Sequence, residues 1–88
     1  MMEHLFKSLM EEKHDFYHYL DLHEECTDPT TKATLYTLAE QEMHHYKLIH
    51  DIVFKEVPGK VWTPMEAVMK HQTELWYQEM VEELKEHK

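Results

Sequence analysis

Three residues have the types and spacing to hold a divalent cation: Glu42 and His45, three apart, and Glu12, thirty residues before Glu42. Leu35, Leu38, Glu42, His45, Ile49 and Ile52 follow one another at steps of three and four, the spacing of a buried stripe on an amphipathic helix. Four members are aliphatic, but the middle two are a carboxylate and an imidazole. A carboxylate in such a seam is costly unless its charge is compensated, and carboxylate with imidazole is a ligand set suited to iron, manganese or zinc. An earlier stripe repeats the anomaly: Leu5, Leu9, Glu12, Phe16, Tyr19 and His23 step in the same way, with Glu12 in an aliphatic place.

The elements that must position these residues follow from the punctuation of the chain. A first helix is expected over about 3–25, and Cys26 to Thr31 reads as a turn. Asp28 as N-cap with Pro29 at the first helical position opens a second helix over about 29–55. Val57-Pro58-Gly59 stops it. Thr63-Pro64-Met65-Glu66 has the form of a capping box and opens a third helix over about 64–86. Its apolar side carries Met65, Val68, Met69, Leu75, Trp76, Met80 and Leu84 and is expected to serve packing or dimerisation. Glu12 lies sixteen residues before Asp28, while Glu42 and His45 lie fourteen and seventeen after it. In an antiparallel hairpin folded at Asp28, equal distances from the turn are equal heights, so the three side chains meet.

Composition agrees with an all-α fold. A chain of 88 residues with one Gly and three Pro, rich in Leu, Met and charged residues, reads as a single helical domain over 1–88. A chain this short buries a modest core alone, and association is the common remedy. The net charge of −9 opposes nucleic-acid binding, and no apolar run reaches membrane-spanning length. With one cysteine and no signal-peptide pattern, the sequence suggests a cytoplasmic protein. Of the nine histidines, His4, His50, His71 and His87 have no convergent partner in the pattern and are expected at the surface.

A di-iron site of the bundle type takes a Glu from each of two helices and a Glu-x-x-His from each of two others. One chain supplies half of that set, and two chains about a two-fold axis supply all of it. The site therefore asks for a homodimer, in which four carboxylates balance two divalent cations. Glu11 and His14 form a second Glu-x-x-His spacing outside the seam. The competing structural reading of Glu12, Glu42 and His45 is a polar cluster that sets helix register.

The stretch Met10-Glu11-Glu12, with Ala39-Glu40-Gln41-Glu42-Met43-His44-His45, resembles the ferritin-like superfamily, and within it the encapsulated ferritins. Those are short two-helix chains that rebuild a four-helix ferroxidase site by dimerising. The thirty-residue interval from Glu12 to Glu42, Tyr19 seven residues past Glu12, and Cys26 near the turn all match, over about 9–54. The resemblance implies a ferritin-like four-helix bundle formed on dimerisation, with Glu12, Glu42 and His45 binding iron and carrying out ferroxidation in iron storage or detoxification. It further implies Glu11 and His14 at an outer entry or secondary site, and Tyr19 near the metal. Two features depart from the family. The sequence ends Glu83-Leu84-Lys85-Glu86-His87-Lys88 without the segment that docks such proteins in a protein nanocompartment, and the third helix is longer. Enclosure in a shell and a larger ring of dimers thus have no sequence feature of their own here. Two other classes stay open: a non-catalytic Fe, Mn or Zn binder, and a plain helical dimerisation module.

Overall fold

A computed structural model of the chain describes residues 2–88. Among them there are three α-helices and no strand: α1 (Met2–Glu25), α2 (Pro29–Val53) and α3 (Pro64–Glu86). The chain is therefore all-helical, with helix bounds close to those its caps predict.

The turn between α1 and α2 is built by local polar chemistry. The Asp28 carboxylate accepts from the Thr31 amide at 2.8 Å and from the Thr31 hydroxyl at 2.7 Å, satisfying donors that a helix start leaves unpaired. Lys32 Nζ reaches back to donate to the His23 carbonyl at 2.6 Å, so the end of α1 is tied to the start of α2. After α2, the Lys60 amide donates to the Val57 carbonyl at 3.0 Å, with Pro58 and Gly59 in the middle of the turn. Gly59 has φ of 83°, the left-handed conformation that the third residue of a type II turn requires. Thr63 and Glu66 then form the expected capping box at the start of α3.

Helices α1 and α2 make the antiparallel hairpin, and α3 runs back along one side of it. The core is Leu9, Phe16 and Leu20 from α1, Ala39 and Tyr46 from α2, and Met80 and Leu84 from α3. Polar bonds fix the third helix. Tyr46 donates its hydroxyl to the Thr73 carbonyl at 2.7 Å, and His50 Nε2 lies 2.8 Å from Thr73 Oγ1. Because the Thr73 hydroxyl donates to the Met69 carbonyl at 2.7 Å, its oxygen is left to accept from His50. Lys13 of α1 sits over the Trp76 ring, 4.4 Å from its centroid. At the turn end, His87 Nε2 meets Glu24 of α1 at 3.0 Å.

Two expectations are corrected here. His50 and His87 are not surface residues without partners: His50 is buried against Thr73, and His87 is half-buried between Glu83 and Glu24. His4 and His71 are exposed as expected. The buried line of α2 also differs from the stripe read in the sequence. Ala39, Tyr46, His50 and Val53 are buried, whereas Leu35, Leu38, Glu42 and Ile49 are half-buried, and His45 and Ile52 are exposed. Helix α2 carries apolar side chains on two adjacent sides, and α3 covers only one. The third helix shows the same division: Thr73, Met80 and Leu84 are buried, while Met65, Val68 and Leu75 are exposed.

Candidate metal centre

Glu12, Glu42 and His45 converge. Each offers one ligand atom, and the three atoms lie within 4.8 Å of one another; among the described residues no other group of three acids, histidines or cysteines does this. His45 Nδ1 is 3.6 Å from Glu12 Oε2 and 3.9 Å from Glu42 Oε2. The side chains of Glu12 and Glu42 are 23% and 18% exposed, while His45 is 53% exposed, so the acids form the floor and the imidazole the rim.

The geometry follows from helix phase. At about 100° per residue, Glu12 and Lys13 diverge from the Leu9–Phe16 line in opposite directions. Lys13 turns toward Trp76 of α3, so Glu12 faces the side of the hairpin that α3 leaves open. On α2, Glu42 and His45 diverge in the same manner from Tyr46 and His50, which hold α3. The third helix and the acidic cluster thus occupy opposite sides of one hairpin.

Electrostatics mark the cluster as unfinished. Glu12 Oε2 is buried with no hydrogen-bond partner. The Glu42 carboxyl is pushed up to about 7 from its ordinary value of 4.5, chiefly because a protonated Glu42 could hydrogen-bond to the adjacent Glu12, then by burial and the Glu12 charge, against a partial offset from His45. Two carboxylates at this range cannot both ionise at ease unless a cation joins them. Every donor faces one small volume, the set is oxygen and imidazole, and one buried oxygen awaits a partner. That arrangement fits a divalent cation of the iron, manganese or zinc class.

The remaining sequence candidates are placed elsewhere. Tyr19 is half-buried and packed against the core, outside the three-ligand group. Glu11 and His14 are exposed on the outer face of α1, where they border one shallow hollow and His14 Nδ1 lies 3.6 Å from Asp15 Oδ1. Two features had no clear sequence signal. Asp15 adds to the charge that raises Glu42. His18 stacks with His14, their ring centroids 6.5 Å apart; only the spacing of four between the two histidines could have pointed to that pair.

The surface beside the cluster is mixed: Glu40, Gln41, Met43 and His44 border His45, and exposed apolar side chains lie further along the helices. Ile52 and Leu48 are 62% and 51% exposed, and Leu22 of α1 is exposed as well. None of the described helices is long and apolar enough to cross a membrane. Comparison of the chain with protein-family models, curated proteins and solved structures found no match.

Proposed function

We propose that two copies of this chain pair through the open side of the α1–α2 hairpin and together bind two Fe(II) ions, which they oxidise to Fe(III). The observation that carries this reading is the convergence of Glu12, Glu42 and His45 around a buried carboxylate oxygen without a partner. One copy offers two carboxylates and one imidazole, too few ligands for two cations. A two-fold axis beside the cluster doubles the set to four carboxylates and two imidazoles and makes the charge neutral with two divalent ions. It also covers Leu48 and Ile52, and it forms a four-helix bundle from the two hairpins, with each α3 on the outside.

In this arrangement the Glu12 and Glu42 carboxylates and the His45 imidazole would hold the Fe(II) ions, with Glu42 deprotonated, and the water-exposed rim at His45 would admit the oxidant. Two Fe(II) release two electrons, which with two protons reduce dioxygen to hydrogen peroxide, or peroxide to two waters. The likeness of the Glu12, Glu42 and His45 spacing to the encapsulated ferritins supports the choice of iron and an iron-storage or detoxifying role. Cytoplasmic location and growth of the dimer into a ring belong to the same proposal.

The test is oxygen consumption on mixing anaerobically Fe(II)-loaded protein with air. Wild type is expected to consume oxygen in proportion to bound iron, and Glu42→Ala and His45→Ala to lose that consumption. Iron binding without oxygen consumption would leave a metal carrier rather than an oxidase. One observation favours a second reading: Glu12 and Glu42 can satisfy each other by sharing one proton. A cluster that needs no metal would be a register device for a helical dimer, and it predicts unchanged metal content in both variants.

A further inference from the structure

We infer that His14 and His18, on the outer face of α1, form a two-imidazole chelate for a late first-row divalent cation such as Cu(II), Ni(II) or Zn(II). They are the one pair of histidines four residues apart in the chain, which puts both on one face of a helix, one turn apart. Their rings are nearly parallel, 6° apart, with centroids separated by 6.5 Å. His14 is 81% exposed and His18 is also exposed, so side-chain rotation alone can bring the two rings to a shared ion, with water completing its coordination.

The surroundings favour a cation. Asp15 Oδ1 lies 3.6 Å from His14 Nδ1, beyond hydrogen-bond reach but close enough to add negative charge beside the ring. Asp21 lines the same shallow hollow as His14 and His18 and adds negative charge. Lys13, the one cation lining it, is drawn over the Tyr17 and Trp76 rings. Imidazole pairs rank Cu(II) above Ni(II) and Zn(II) and well above Fe(II), so this site differs in metal class from the carboxylate cluster. It needs one chain only and does not depend on the proposed dimer.

The experiment is Cu(II) titration of the full chain and of His14→Gln, His18→Gln and Glu42→Ala, read by calorimetry and by electron paramagnetic resonance. Both histidines are exposed, so the variants are expected to keep wild-type helicity, and circular dichroism checks this. One ion per chain bound through two imidazole nitrogens is expected in wild type and in Glu42→Ala. Each histidine variant should weaken binding about tenfold or more, the loss expected when one arm of a chelate is removed, and should lower the nitrogen count at the tightest site. Unchanged affinity in both histidine variants, or a single-nitrogen signal in wild type, would overturn the assignment. Loss of binding in Glu42→Ala alone would assign the copper to the carboxylate cluster instead.

Discussion

In the metal-free chain the neighbouring Glu12 carboxyl and burial favour a proton on Glu42, and this bears on both stability and metal uptake. The folded state holds the Glu42 proton up to about 7, against 4.5 for an ordinary glutamate. A raised carboxyl contributes stability that is full below the ordinary value and is lost as pH rises through the folded value. Glu42→Gln keeps the shape, cannot ionise, and can donate to the Glu12 oxygen that lacks a partner. We therefore expect it to stabilise the metal-free protein by about 1 kcal/mol, roughly 5 °C in Tm, at a pH of about 8, and to give no gain at about pH 4. Thermal melts at the two pH values check this. The same substitution should abolish metal binding, so loss of function and gain of stability are expected in one variant. Because cation and proton compete for Glu42, metal affinity of the wild type should fall steadily as pH is lowered from about 8 to about 6.

At the scale of elements, α3 is held to the hairpin by a few buried polar bonds. Thr73 Oγ1 accepts from His50 in the interior, and Thr73→Val would leave that imidazole without its partner. A cost of about 1–3 kcal/mol is expected from urea unfolding, with Thr73→Ser restoring most of it. His87 carries a different bond. Its Nδ1 faces the Glu83 carbonyl at 2.7 Å and its Nε2 faces Glu24 at 3.0 Å, two acceptors that only the doubly protonated ring can satisfy together. The bond to Glu83, and then Glu24, hold the His87 proton above its ordinary value of 6.5. Its contribution is complete below that value and is lost as pH rises through the raised one. The stability difference between wild type and His87→Gln should therefore shrink as pH rises above the ordinary value of 6.5.

What could be read in the sequence also divides at this scale. Asp28-Pro29 and Thr63-Pro64 marked both helix starts because capping is decided within four residues. The height at which Glu12, Glu42 and His45 meet followed from counting residues on either side of the turn. The rotation of α2 did not follow. Its Leu38–Ile49 side and its Tyr46–His50 side are both amphipathic, and the partner that buries the second is Thr73, over twenty residues away in sequence. Periodicity treats a histidine as polar, so His50 read as a surface residue although a hydroxyl on another helix makes its burial tolerable.

On the whole-molecule scale, the folded chain has one finished side and one unfinished. Helix α3 covers the first, and the second presents Leu48 and Ile52 beside an acidic cluster. Exposed Leu48 and Ile52 beside two half-buried acids are poorly suited to water and well suited to a copy of the chain with cations between. Leu48→Lys with Ile52→Lys should shift the protein toward monomer in sedimentation while leaving helicity unchanged, since neither side chain is in the core. Iron uptake should fall with it, because half a ligand set remains. The most direct measurement is native mass spectrometry of the protein titrated anaerobically with Fe(II). The proposed shared site predicts a dimer that takes up two irons, and no uptake by dimers of Glu42→Ala or His45→Ala. A dimer that binds no iron, or variants that bind as well as wild type, would contradict it and leave the cluster as a device of helix pairing alone.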